Sequence, residues 1–160
     1  MFKKTNNILL IFLLFFISAS LIAAFVIEYG LGHEPCKLCI YERIPYVISI
    51  LLIPRIIFYE KYKKIILLIL ALVFIASTIL SFYHFGIEQG FFNELNICKS
   101  EGVSETLTKE QLLSELEKIN ISCKDVTFRI MGLSLATINS IFSLVLSVIF
   151  IKLFVKYGKN

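Results

Sequence analysis

The chain has 160 residues, of which 58% are hydrophobic and only 18% charged, with a mean hydropathy of +0.83. A soluble domain of this length lacks the volume to hide so much apolar surface, which excludes an ordinary water-soluble globule and calls for a lipid solvent. The net charge of +4 would suit an anionic partner, but the basic residues gather beside long apolar runs, a distribution that reports membrane orientation and not nucleic-acid binding.

Four apolar stretches follow one another along the chain. Positions 8–27 run for 20 residues without a charge, which as a helix is about the thickness of a bilayer core. Lys3 and Lys4 ahead of this run, with Ser18, Ala19, Ala23 and Ala24 inside it, resemble a cleavable signal. A signal core is only about 7–15 residues long, however, so retention as a spanning helix is expected. Positions 44–59 are apolar apart from Arg55 but contain Pro45 and Pro54. Pro45 suits a first helical turn, Pro54 should kink or end the helix, and Arg55 can snorkel to the interface. Positions 65–87 and 130–151 complete the set, with His84 near the end of the third stretch. Lipid satisfies no open backbone donor or acceptor, so helices are the default. The expectation is an all-α integral membrane four-helix bundle in one domain, with helices at about 8–28, 42–59, 65–86 and 130–152 and outer loops at about 29–41 and 87–129.

Charge orients this bundle. With both termini and the 60–64 loop on one side, that side holds Lys3, Lys4, Arg55, Lys61, Lys63, Lys64, Lys152, Lys156 and Lys159 against the single acid Glu60. The other side carries Lys37, Arg43, Lys99, Lys109, Lys118, Lys124 and Arg129 with the eleven remaining acids. Short basic segments stay in the cytoplasm, so both termini are expected inside and both loops outside. In the second outer loop, Thr108 and Gln111 have capping-box spacing, and Leu112, Leu113, Leu116 and Ile119 share one helical face. That short amphipathic helix would either pack on its own loop or lie on the membrane surface. The tripeptide Asn120-Ile121-Ser122 is a chance match to a glycosylation acceptor.

The four cysteines are Cys36 and Cys39, as Cys-x-x-Cys beside the second helix, and Cys98 and Cys123, with 24 residues between them in the second outer loop. Helix parity puts all four on the outer side, which is oxidising in a bacterium. A Cys-x-x-Cys pair can bridge locally and exchange, and the attacking species is the thiolate. Two features favour a thiolate at Cys39: the unpaired N–H groups of a helix start, and Arg43 four residues on, whose fixed charge can also hold an anionic ligand. Permanent structural disulfides are the competing reading. A zinc site built from the cysteines and His33 is a further one, but the spacing matches known ligand patterns poorly.

The string Cys36-Lys37-Leu38-Cys39-Ile40-Tyr41-Glu42-Arg43 at the mouth of the second of four helices, with a second cysteine pair in the long outer loop, resembles the disulfide bond formation protein B family. The resemblance covers nearly the whole chain, and the segment Tyr83-His84-Phe85-Gly86-Ile87-Glu88-Gln89-Gly90 is also similar to one found in relatives. It implies a quinone-dependent thiol oxidase of the bacterial inner membrane. Such an enzyme reoxidises a soluble periplasmic thioredoxin-fold dithiol oxidase (DsbA-like) and passes the electrons to ubiquinone or menaquinone. It implies that the partner attacks Cys98 of a Cys98–Cys123 disulfide, that Cys123 exchanges with Cys36, and that Cys39 faces the quinone with Arg43 assisting. His84 is a candidate second quinone contact or an interfacial cap of the third helix. Glu42 sets local charge and Tyr41 anchors at the interface. A vitamin K epoxide reductase type of enzyme shares this logic, but by resemblance its Cys-x-x-Cys lies late in the chain, whereas here it follows the first helix. A modest thiol buffer separates exchange from permanent bridging: exchanging disulfides are reduced by it, as thiol alkylation would register, and fixed structural disulfides resist it.

Overall fold

The computed structural model describes residues 2–93, 123, 129–130 and 132–158. Four long helices form it: α1 (Phe2–Phe25), α2 (Lys37–Phe58), α3 (Lys63–Glu88) and α4 (Leu135–Gly158). A π-helical turn, Val26–Gly30, extends α1, and a 3-10 turn, Glu60–Tyr62, leads into α3. Before α4 lies a small antiparallel hairpin of β1 (Arg129–Ile130) and β2 (Leu133–Ser134), in register Arg129↔Ser134 and Ile130↔Leu133. Gly132 takes φ 85 in its connection, a backbone angle that glycine adopts without strain.

The helices begin and end where local chemistry lets them, which differs from the apolar runs. α2 starts at Lys37, about five residues ahead of the expected 42, because Cys36 caps it: its sulfur accepts from the Cys39 N–H at 3.3 Å. Cysteine is not among the usual capping residues, so the run of apolar residues gave no sign of it. The earlier start places Pro45 in the helix interior instead of the first turn, and there Ser49 Oγ donates to the Pro45 carbonyl at 2.7 Å. A proline inside a membrane helix is tolerated where serine side chains and neighbouring helices re-satisfy the backbone. Pro54 also lies within α2, which stops one turn later at Phe58. α4 starts at Leu135 and not near 130, because the hairpin takes up the preceding residues and Ser134 Oγ accepts from the Thr137 N–H at 3.2 Å as an N-cap. α3 runs on to Glu88, and Gly90 at φ 77 follows it, the left-handed conformation in which helices commonly stop.

Among the described residues, three helical stretches are long and apolar enough to cross a bilayer: Asn7–Gly30, Lys63–Glu88 and Leu135–Tyr157. α2 falls short of that composition because every stretch of spanning length within it includes Glu42, Arg43 and either Lys37 or Arg55. It nonetheless packs between α1 and α3, while α3 lies along most of α4. The shared core holds Leu10, Ile17, Tyr46, Ile53, Leu67, Leu70, Phe74 and Phe150. Phe74 stacks on Phe150 at 5.5 Å and meets Tyr46 edge-on at 5.9 Å. Ser77 and Ser143 hydrogen-bond at 3.0 Å across the α3–α4 seam, where small residues let helix backbones approach. The outward faces carry Phe12, Phe15, Leu51, Leu72, Ile79, Phe82 and Ile141 in the open. A continuous apolar exterior of that kind would be an aggregation surface in water and is the expected surface in lipid. The chain is a membrane protein.

The segment 108–119, read as an amphipathic helix, lies outside the described residues. Phe74 and Phe150 are the largest wholly buried side chains among the described residues, and Phe74→Ala should lower stability by about 3 kcal/mol, measured as reversible unfolding in detergent. A loss near zero would show that this seam does not hold the bundle together.

Candidate functional site

The outer ends of α2, α3 and α4 meet around a set of buried polar groups. Cys36 is buried at the N-cap of α2, and Cys39 stands one turn further on, half-buried. Their sulfurs are 2.8 Å apart as free thiols, a small side-chain rotation from the roughly 2.05 Å of a disulfide. His84 comes from the last turns of α3 and is 2% exposed. Its Nε2 lies 3.5 Å from Cys36 Sγ and its Nδ1 2.9 Å from Glu42 Oε1.

Glu42, one turn after Cys39 on α2, is 7% exposed. Its second oxygen, Oε2, accepts from Asn139 Nδ2 at 2.9 Å. Asn139, on α4, also donates to Ser81 Oγ at 2.7 Å and accepts from the Tyr46 hydroxyl. The result is an unbroken line of hydrogen-bonded groups from Cys36 through His84 and Glu42 to Asn139 and Tyr46. Buried polar groups left without partners would be costly, so such a line is either complete or unstable. Glu88, one turn beyond His84, brings Oε1 to 3.8 Å from His84 Nε2.

A cavity of about 480 Å3 opens beside this line between α1, α2 and α4. Phe16, Leu21, Ala24, Ile138 and Phe142 give it apolar walls, while Glu28, His33, Cys39, Glu42 and Arg43 gather at its polar end. Its volume falls in the ordinary range of about 300–1,000 Å3 for small-molecule sites. Cys39 therefore faces the cavity and Cys36 lies behind it. Cys123 is buried in the same small apolar cluster as Cys36, Leu38 and Ile87, and Cys39 packs against that cluster. Cys123 is disulfide-bonded.

The structure thus brings Cys36, Cys39, His84 and Cys123 together, and Arg43 lines the cavity that Cys39 faces. Cys98 lies outside the described residues. Two features depart from the reading of the sequence. Arg43 turns its guanidinium to Glu28 in the π-helical turn, in an ion pair, and stacks over the Phe25 ring at 5.0 Å; the side chain set against the sulfur pair is the His84 ring, 3.5 Å from Cys36. His84 is not among the residues that line the cavity, because its ring is enclosed between Cys36 and Glu42, and it is neither an exposed interfacial residue nor a helix cap.

Hydrogen bonding by the Cys39 thiol, reinforced by the His84 ring, brings the Cys36 thiol from an ordinary 9.0 down to about 4, against the opposing effect of burial. Of the two sulfurs, Cys36 is thus the one whose thiolate the site favours, whereas the sequence points to Cys39. Asn139, Tyr46, Glu28 and Glu88 were not singled out from the sequence. A lone amide in a run as apolar as 130–151 is the signal that could have marked Asn139, since polar groups at membrane depth line functional interiors.

Two outcomes follow. In reduced protein whose loop cysteines are serine, the ultraviolet absorbance of the Cys36 thiolate should persist down to acidic pH, and His84→Gln should move its midpoint upward by removing a group that favours the charged form. A thiolate that forms only above about pH 8.5 in the parent protein would contradict this. Glu42→Ala should lower stability by about 3 kcal/mol, because it leaves His84 and Asn139 buried without their partner, whereas Glu42→Gln should lose less; chemical unfolding of both variants measures the difference.

The family described as "Disulfide bond formation protein DsbB" matches residues 6–153. An uncharacterized protein of Rickettsia prowazekii (strain Madrid E) is 30% identical over 152 residues, covering 90% of this chain and 86% of the other. No solved structure matches.

Proposed function

Since this chain belongs to the disulfide bond formation protein DsbB family, a family of membrane disulfide oxidoreductases, we propose that it reoxidises a soluble periplasmic dithiol oxidase of thioredoxin fold and delivers the electrons to a membrane quinone. The single observation that carries this reading is the gathering of the sulfurs: Cys123 shares a buried cluster with Cys36, Cys39 packs against that cluster 2.8 Å from Cys36, and Cys39 lines the cavity. A thiol–disulfide relay needs each sulfur within reach of the next, and its last member beside the acceptor.

On this reading the partner's thiolate attacks Cys98 of a Cys98–Cys123 disulfide. The mixed disulfide is resolved by the partner's second thiol, and both loop cysteines are left reduced. Exchange between the loop pair and the Cys36–Cys39 disulfide then carries the two electrons inward, with Cys123 and Cys36 as the sulfurs that meet. Cys39 is left facing the cavity and Cys36 is held against His84. The apolar walls and polar end of the cavity fit a quinone, with Phe16, Ile138 and Phe142 against its apolar part and Arg43, Glu28 and Cys39 around its head group. A quinone bound there supplies an acceptor for two electrons and two protons. The protein's part is to take the Cys36 thiol proton onto His84 Nε2, which leaves Cys36 a thiolate, while Nδ1 hands its own proton to Oε1 of Glu42, a residue that itself lines the cavity. Re-formation of Cys36–Cys39 returns the site to its starting state. The basic segments at both termini support an inner-membrane orientation with the cysteines on the periplasmic side.

The test is quinone reduction by the purified protein in detergent, fed with a reduced thioredoxin-fold dithiol. Wild type should turn over, and Cys36→Ser should show none. No turnover by wild type, with a quinone and partner shown to be competent elsewhere, would overturn the oxidase reading in favour of a structural membrane protein with two fixed disulfides.

A further inference from the structure

Cys36 Sγ, Cys39 Sγ and His84 Nε2 lie within 4.8 Å of one another, and the setting of the histidine singles this cluster out. His84 Nδ1 is held by Glu42 at 2.9 Å, which fixes the tautomer that leaves Nε2 directed at the sulfurs. Glu88 Oε1 stands 3.8 Å from His84 Nε2, but this carboxylate interacts with Ser134 and Arg129 and lies outside the cluster.

We propose that the reduced Cys36–Cys39 pair and His84 Nε2 form a three-donor binding site for a thiophilic divalent cation, Zn2+ being the common example, and that the bound ion holds the pair out of its redox cycle. Two sulfurs and one imidazole suit a tetrahedral, borderline-soft ion whose fourth position water fills. Bond lengths to zinc imply an edge of about 3.5 Å between sulfur and imidazole nitrogen. The separation between Cys36 Sγ and His84 Nε2 is 3.5 Å. The two sulfurs, at 2.8 Å, must open by about 1 Å to reach a tetrahedral edge, a movement open to the half-buried Cys39. Glu42 then plays the part of the carboxylate that orients a metal-bound histidine. The ligand set differs from the zinc site weighed from the sequence alone: it draws on His84, brought in by α3, and not on His33.

Binding balances without redox change. The thiol proton or protons still present on the pair leave to solvent as two thiolate–metal bonds form, and no electron moves. The disulfide form has no thiolate to offer, so metal and disulfide are mutually exclusive, and the ion traps the reduced state.

Anaerobic titration of the reduced full-length protein in detergent with Co2+ tests this without quinone or partner dithiol, so its outcome is separate from that of the oxidase reading. Cys98→Ser and Cys123→Ser confine the sulfur ligands to the inner pair. One Co2+ per chain should bind, with a sulfur-to-cobalt charge-transfer band and the strong visible bands of a four-coordinate site, and Zn2+ should displace it. His84→Gln should weaken binding at least tenfold, and Glu42→Gln about tenfold. The wild-type protein with Cys36–Cys39 oxidised, which keeps the fold but removes the ligands, should not bind. Absence of the sulfur–cobalt band, equal binding by the oxidised protein, or a band that His84→Gln leaves unchanged would overturn the proposal.

Discussion

His84 is buried between a sulfur and a carboxylate, its Nε2 3.5 Å from Cys36 and its Nδ1 2.9 Å from Glu42, and the surrounding structure is arranged to satisfy that ring. An imidazole enclosed in an apolar bundle needs a partner on each nitrogen. Cys36 can meet one nitrogen only because it caps α2, and Glu42 can meet the other only because it lies on that same helix, nearer the bundle interior. Glu42 in turn needs a donor for its second oxygen, and Asn139 supplies it from α4. Three helices are therefore fixed in register by one chain of polar contacts, at the point where the sulfur pair reaches the cavity.

The same arrangement explains why α2 is the least apolar of the four helices. Glu42 and Arg43 cannot face lipid, and neither does: Glu42 turns into the bundle and Arg43 pairs with Glu28 at the polar end of the cavity. The π-helical turn Val26–Gly30 carries Glu28, and such turns recur at functional sites because the extra residue re-aims a side chain. Composition that weakens α2 as an isolated spanning segment is what builds the site.

Much of this was legible in the residues. Long apolar runs are set by the solvent, so a bundle of four helices followed from hydropathy, and the Cys36–Cys39 motif with the loop cysteines marked the chemistry. The parts that were not legible depend on groups far apart in the chain or on local caps. Asn139 meets Glu42 across 97 positions, and no period in the sequence announces such a pair. The Cys36 cap and the Ser134 cap moved the starts of α2 and α4, because a terminus is decided by one side chain and not by the hydropathy of a window. Arg43 follows Cys39 at helical spacing, but a guanidinium on a long stem takes the best anion within reach, and only the fold shows that this is Glu28.

The central claim is the order in which the sulfurs communicate, and one trapped species tests it. In Cys39→Ser protein the Cys36 thiolate has lost its neighbour and can attack only outward. If Cys36 and Cys123 are consecutive members of the relay, Cys36 displaces Cys98 as a thiolate from the loop disulfide, and peptide mass spectrometry of the non-reduced, alkylated protein will find Cys36 joined to Cys123. A Cys36 recovered as a free thiol beside an intact loop disulfide, or joined to Cys98, would contradict the account.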